Sequence, residues 1–278
     1  MDIILNNLKS SGVLNNAPVT YVLCKIDCGD LLSFESFLKQ SQELFRKNGF
    51  PIFHDQIVKD VRIQTEHGIK IEENEKHTYH FISGDYQDGI VVSGGSLFVQ
   101  TRNYKDFSRF AELIKKAHEI YSSVTEMNLV RAIGLRYVDL IEPQNGNPLN
   151  FYLRDSVLSP TFGEDTGIVP VEARMQHTYR TPMNSVLFLR VFAGKGHKVV
   201  PDDLIPMVEP LYTTAGKQQE LSKCSNLSAL VDTDHFIQFQ PMKQASSINV
   251  VDLLNQMHSY TSHLFCNTVT ECALEEWK

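Results

Sequence analysis

The sequence predicts an α+β fold: a curved, mostly antiparallel sheet or pair of sheets with long amphipathic helices packed on one face. Strands mostly do not alternate with helices, which argues against a doubly wound parallel sheet. Alternation of apolar and polar residues dominates 57–101 and 130–141, and a stretch with helical spacing closes each half of the chain. The 278 residues, 42% of them hydrophobic, can bury a large core without a disulfide or a metal.

The first half, residues 13–127, begins with a β-branched strand at Val19–Asp27, just after Pro18. Aromatic and leucine residues at helical spacing predict a helix over 34–45, which Gly49 and Pro51 end. Residues 57–101 predict a meander of about four strands, and Gly94-Gly95 suits a tight hairpin. A second helix follows over 107–124.

The second half, residues 128–278, opens with a strand at 130–141 and a hairpin that turns at 182–184. A further strand is expected at 234–240. Three prolines interrupt 194–231, where the only regular element expected is a helix over 221–230. A closing helix is expected to start at a Ser246 or Ser247 cap. The two halves are expected to pack closely, and one continuous domain is compatible with the same pattern.

Composition argues against several classes of partner and compartment. A net charge of −7 disfavours a nucleic-acid binder and an anionic-membrane binder. No apolar run reaches the roughly 18–20 residues of a membrane span. Asp2 stands where a secretory signal needs positive charge, and five cysteines are an odd number, which favours a reducing compartment. The expected location is the cytoplasm.

Motifs of metal and cofactor chemistry are missing from the sequence. His77 and His80 point to opposite faces of a strand, and His258 and His263 are not aligned on a helix. There is no His-Glu-x-x-His, Cys-x-x-Cys, Gly-x-Ser-x-Gly or dinucleotide glycine pattern. We therefore expect no metal, no cofactor and no catalytic residue. Whether the chain is an enzyme stays open, with the balance against it.

Arg136 is the most informative polar residue of the central strand. A period of two places Arg131, Tyr137 and Asp139 on one face, and Arg136 on the other beside Gly134. Because an unpaired buried charge is very costly, this guanidinium needs a partner. An internal Asp or Glu is the favoured partner, and an anion from outside is the alternative.

Further arginines follow on the predicted hairpin. Arg174 and Arg180 share the polar face of its first strand, and Arg190 lies between two phenylalanines on the second. A solvated sheet face explains this pattern most simply. If these arginines met Arg136, they would line a basic groove that attracts an anion. The candidate ligand-binding residues are Arg131, Arg136, Tyr137, Arg174, Arg180 and Arg190.

Three segments together resemble a known family. They are Leu14-Asn15-Asn16-Ala17-Pro18-Val19, then Arg131-Ala132-Ile133-Gly134-Leu135-Arg136-Tyr137-Val138-Asp139, and finally Leu264-Phe265 with Val269-Thr270-Glu271 and Trp277. Their order resembles a sporadically distributed family of bacterial proteins known mainly as conserved hypotheticals. Cys272 and Ala273 depart from it, because more polar residues are expected there. The resemblance implies patchy gene content of the kind found near defence or toxin–antitoxin genes, and it implies no reaction.

Two functions lead on these grounds, and an unrecognised hydrolase or nuclease is the remaining alternative. The first is a non-enzymatic cytosolic binding protein that holds a partner protein, such as a toxin or a defence effector. The second is a sensor that binds a small anionic ligand or a nucleotide in an arginine-lined groove. A closed, deep, arginine-lined cavity would favour the second function.

Overall fold

The computed structural model describes residues 8, 12, 14–31, 34–64, 70–160, 162, 164–213, 221, 224 and 226–278. Within these residues lie nine strands: β1 (Val19–Asp27), β2 (Ile52–Gln64), β3 (Lys70–Ile82), β4 (Asp88–Ser93), β5 (Ser96–Thr101), β6 (Leu129–Ile141), β7 (Ala173–Arg180), β8 (Val186–Gly194) and β9 (Ser228–Gln244). The same residues form the helices α1 (Glu35–Lys47), α2 (Phe107–Thr125), α3 (Leu149–Tyr152), α4 (Ile205–Thr213), α5 (Val250–Thr268) and α6 (Glu271–Trp277).

All nine strands of the described chain join one antiparallel sheet in the order β2-β3-β4-β5-β1-β6-β9-β8-β7. The first five strands in this order come from residues before 128, and the last four come from residues after it. The two expected halves therefore meet at one seam, where β1 pairs with β6. The predicted division into two domains remains a prediction.

The long helices cover one face of this sheet. Val22 and Cys24 of β1 belong to a core cluster with Ile114 of α2 and Met257 of α5, all of them fully buried. Helix α2 starts where the Asp106 carboxylate accepts the Arg109 backbone N–H at 2.9 Å. We name this side of the sheet the helix face.

The opposite face carries a second core. Tyr21 of β1 and Val138 of β6 are buried there with Val208 and Leu211 of α4. We name this side the α4 face. Because successive residues of a strand point to opposite faces, β1 and β6 each contribute side chains to both cores.

The predicted arrangement of a curved sheet with helices on one face is wrong. The strands form a single open sheet, and α4 covers the face that was expected to lack a helix. Helix α4 was missed because its sequence, Ile-Pro-Met-Val-Glu-Pro-Leu-Tyr-Thr, is apolar nearly all round and contains Pro210, so it has no helical stripe.

Two further expectations in the second half are also wrong. The helix expected over 221–230 does not extend to residue 230, because strand β9 begins at Ser228. Residues 222, 223 and 225 of that expected helix lie outside the described residues. Helix α5 is capped by Asn249, whose side chain accepts the Asp252 N–H, and not by Ser246 or Ser247. The other strands and long helices were predicted to within a few residues, except that β2 and β9 are longer than expected.

The three segments that carry the family resemblance meet in space. The Asn16 N–H donates to the Trp277 carbonyl at 2.9 Å, and the Leu140 N–H donates to the Pro18 carbonyl at 2.9 Å. Thr270 caps α6 by accepting the Ala273 N–H. These segments thus join residues near both ends of the chain to the central strand. None of the helices that the structure describes is long and apolar enough to cross a membrane.

Candidate functional site

Arg136 forms ion pairs inside the protein, on the α4 face. Its side chain is 11% exposed. The Nε and Nη2 atoms donate to the two carboxylate oxygens of Asp232 at 2.7 and 2.8 Å. The Nη1 atom donates to Asp203 at 2.6 Å. The internal partner favoured from the sequence is therefore present, as two carboxylates.

The fold explains how both carboxylates reach Arg136. Asp232 stands on the adjacent strand β9, and Asp203 lies in the short 3-10 turn Asp202–Leu204 that leads into α4. Burial alone would lower the pKa of Arg136, but its hydrogen bonds to Asp232 and Asp203 outweigh burial and raise that pKa. Burial likewise pushes the pKa of Asp203 upward, but the Arg136 hydrogen bonds outweigh it and lower that pKa.

Arg190 shares one of these carboxylates. Its Nη1 atom lies 3.0 Å from Asp232 and 3.6 Å from Asp234, and its guanidinium stacks over the Phe188 ring. Arg136, Arg190, Asp203, Asp232 and Asp234 make up what we call the arginine–aspartate cluster. Two positive groups face three carboxylates, so the cluster as a whole is not basic.

An open groove that arginines help to line lies beside the cluster, where a closed cavity was expected for an anion sensor. It has a volume of about 700 Å³. Its basic lining residues are Arg174, Arg190, Lys195, His197 and Lys198. Carboxylates lie close to three of them: Glu172 is 3.4 Å from Arg174, and Asp202 is 2.9 Å from Lys198, while Asp232 pairs with Arg190. We call this feature the arginine groove. An anion there would compete with these carboxylates.

The other predicted site residues lie elsewhere. Arg131 pairs with Asp27 and Asp30 at 3.1 and 3.3 Å near one end of β6. Arg180 is exposed at the end of β7 and does not line the groove. Tyr137 lies on the helix face. The six candidates therefore do not form one site.

Tyr137 lines a second pocket, which the sequence did not indicate. This pocket has a volume of about 430 Å³ and lies between Gly12, Leu14 and residues 17–19, the segment before α2, strands β6 and β9, and helix α5. Its aromatic lining residues are Tyr104, Phe107, Tyr137, His258 and Phe265, and its buried acid is Asp139. We call it the Asp139 cavity.

The rings of this cavity hold one another in place. The Tyr137 hydroxyl is 2.9 Å from His258 Nδ1, and the His258 ring stacks on Phe107 with centroids 4.3 Å apart. Tyr104 meets the Tyr137 ring edge-on. Burial lowers the pKa of His258 to about 4 and raises the pKa of Tyr104 to about 12. The imidazole and the phenols are therefore uncharged near neutral pH.

Asp139 differs from its neighbours because no residue in the described part of the chain is its partner. The residue is 6% exposed. Among the residues that the structure describes, its carboxyl group forms neither a hydrogen bond nor an ion pair. Burial, with a smaller contribution from the Asp232 carboxylate, raises the pKa of Asp139 to about 7. A buried carboxyl group with a strongly shifted pKa in a cavity is typical of a functional site.

Metal binding receives no support from the described residues, in which no three His, Cys, Asp or Glu side chains are placed to hold an ion. The described part of the chain also shows Cys24, Cys28, Cys224 and Cys266 as buried free thiols, with Cys272 exposed.

Sequence reasoning did not indicate four residues of these two sites. Asp234 begins the predicted strand 234–240, and the β-branched Val231 and Thr233 could have extended that strand back to Asp232. Asp203 directly follows Asp202, and adjacent carboxylates of this kind are typical of solvated surface charge. His258 had been considered only as a metal ligand, and nothing in its spacing indicates that it contacts Tyr137.

No protein-family model, curated protein or solved structure matches this chain. The family resemblance therefore stays an expectation.

Proposed function

We propose that this chain is a non-catalytic cytoplasmic binding protein that holds a partner protein along β7. The observation that carries the proposal is the exposed edge formed by β7 and the residues before it. Strand β7 ends the sheet order, with β8 as its one neighbour among the described strands. An edge strand offers unpaired N–H and C=O groups to a strand from another chain.

Exposed apolar side chains directly precede this edge. Val169 and Val171 are 76% and 78% exposed, and Ile168 and Phe162 are also exposed. Apolar side chains gathered in one stretch beside an open edge are typical of a protein interface. In keeping with the family resemblance, the partner we propose is a toxin or defence effector encoded beside this gene.

The first test is a pair of charge substitutions next to β7. We expect Val169→Asp with Val171→Asp to weaken the complex with the adjacent gene product by about 10- to 100-fold, because two buried apolar contacts are lost. The complex is measured by light scattering and calorimetry, and hydrogen exchange should show slower exchange of the β7 amides when it forms.

Ile57→Asp is the matched control, because Ile57 is an exposed apolar residue on the opposite edge strand β2. It should leave the affinity unchanged. An unchanged affinity in the valine variant, or protection at β2 instead of β7, would contradict the proposal.

A second candidate function is a sensor for a small anion or nucleotide in the arginine groove. The observation that favours it is the convergence of Arg174, Arg190, Lys195 and Lys198 on one pocket. Arg174 also lies over the Phe192 ring, with its guanidinium 4.8 Å from the ring centroid, which gives a base or an acyl group a flat apolar neighbour.

The test is ATP binding measured by calorimetry. If the groove is the site, Arg174→Ala should weaken binding by about tenfold, as expected for one partly exposed charged contact. Arg180→Ala, also on β7 but outside the groove, should have no effect. Equal losses in both variants would show general charge attraction instead of a site, and an absence of saturable binding would remove this candidate.

A further inference from the structure

The Asp139 carboxyl group is a buried acid that the described residues leave without a hydrogen-bond donor. It is on β6, in the wall of a cavity, and no described residue donates a hydrogen bond to it. A buried carboxylate without a partner is costly, so it either takes up a proton or pairs with a group from outside the chain. The cavity, at about 430 Å³, is large enough for a small molecule to supply that group.

The surrounding groups do not neutralise Asp139. His258 is held uncharged by its burial, and its Nδ1 atom is already engaged with the Tyr137 hydroxyl. Lys105 also lines the cavity, but its side chain is exposed and has no ion pair with Asp139. The positive charge that matches Asp139 is therefore missing from the described part of the chain.

The aromatic walls favour the same kind of ligand. Tyr104, Phe107, Tyr137 and Phe265 present rings around the acid. Ring faces attract cations, and the attraction grows when water is excluded. Rings also bury the apolar part of a ligand. An acid inside an aromatic enclosure is thus suited to an ammonium group that carries a hydrocarbon substituent.

We propose that the Asp139 cavity binds a small organic amine, whose protonated nitrogen pairs with the Asp139 carboxylate and lies against the aromatic rings. This site is separate from the β7 edge and from the arginine groove, since it opens on the helix face. Organic amines are a class of ligand that the sequence did not suggest for this chain.

The pH dependence expected for amine binding follows from the titratable groups that face the cavity. They are Tyr104, Lys105 and Asp106 before α2, Tyr137 on β6, His258 on α5, and Asp232 on β9, which acts through the sheet. His258, Tyr104 and Tyr137 remain neutral between about pH 5 and 9, because burial lowers the pKa of His258 to about 4 and raises the pKa of both tyrosines. Asp139, with a pKa raised to about 7, changes charge within that range.

The experiment is calorimetric titration of the full chain with phenethylamine and with cyclohexylamine near pH 8. We expect saturable binding of one amine per chain. The controls are 2-phenylethanol and 3-phenylpropionate, which keep the ring but carry no charge or a negative charge, and both should bind more weakly. Asp139→Asn should weaken amine binding by at least about 30-fold, since one partner of a buried charge pair is removed.

Asp106→Asn is the matched control on the same cavity, because it removes a carboxylate at the cavity wall and an asparagine can still cap α2. It should change the affinity by less than about threefold. For wild type, lowering the pH from about 8 to about 5.5 should weaken amine binding by roughly 30-fold, because protonated Asp139 carries no charge. The Asp139→Asn variant should show no such dependence.

Tyr104→Leu provides a second variant that does not alter the acid. It removes one ring and should weaken amine binding by about 3- to 10-fold. The proposal is overturned if neither amine binds saturably up to millimolar concentration, or if 2-phenylethanol binds as tightly as phenethylamine. It is equally overturned if Asp139→Asn binds amine as wild type does, or if acidification tightens amine binding.

Discussion

Arg136→Ala is expected to lower the free energy of unfolding by about 3–5 kcal/mol, as for other buried pairs that lose one partner. The substitution removes both hydrogen bonds to Asp232, which is 3% exposed, and both to Asp203. Asp232 would keep Arg190 as its remaining cation, at 3.0 Å. The measurement is denaturant unfolding of the free protein, compared with wild type at one pH.

The same strand offers a matched control. Arg131 is also on β6 and also pairs with two aspartates, but its side chain is 38% exposed. Because water screens such pairs, Arg131→Ala should lower the free energy of unfolding far less than Arg136→Ala does. If Arg136→Ala left the unfolding midpoint unchanged or raised it, the structural role of Arg136 would be wrong. An anion-binding role for this arginine would then be the better explanation.

Asp139→Asn is expected to stabilise the free protein above neutral pH. The pKa of Asp139 is raised from its ordinary value near 4 to about 7, so the folded protein binds this proton more tightly than the unfolded chain does. The stability linked to this group is complete below about pH 4 and is lost as the pH rises through about 7. A shift of about three units corresponds to roughly 4 kcal/mol, so the variant should gain about 2–4 kcal/mol near pH 9.

The comparison of two pH values separates this effect from a general change in packing. Near pH 4 the acid is protonated in the folded protein, and Asp139→Asn should be nearly neutral. Denaturant unfolding of wild type and variant at both pH values is the measurement. An equal gain at both values would mean that ionisation of Asp139 is not the cause, and a loss at pH 9 would mean that its carboxylate has a partner in the free protein.

The regular elements of this fold were predictable where one face of a segment is buried and the other is solvated. Strand β1 was predicted with its observed limits, and α2 to within a residue of its end, because their apolar residues recur at the expected period. Helix α4 has no such contrast, since it packs among apolar groups and carries two prolines. Its omission led directly to the mistaken expectation that helices lie on one face.

The candidate sites could also be predicted only where a local sequence pattern indicates them. The sequence placed Arg136 and Asp139 on opposite faces of β6, and it indicated that Arg136 needs a partner. It did not identify Asp232, which is 96 residues later, because pairing of β6 with β9 is a property of the whole sheet. The Asp139 cavity combines five separate parts of the chain, and no local sequence pattern indicates that they lie close together.

The order of strands in the sheet also fixes an order of events during synthesis. Strand β6 emerges from the ribosome just after the first half and can pair with β1 at once, but its other neighbour, β9, begins only at Ser228. Until then β6 is a nascent edge strand, and Arg136 has Asp203 but not Asp232 within the synthesised chain. Nascent chains with exposed strand edges are prone to aggregate. We therefore expect the nascent chain to aggregate most readily between the synthesis of β6 and that of β9.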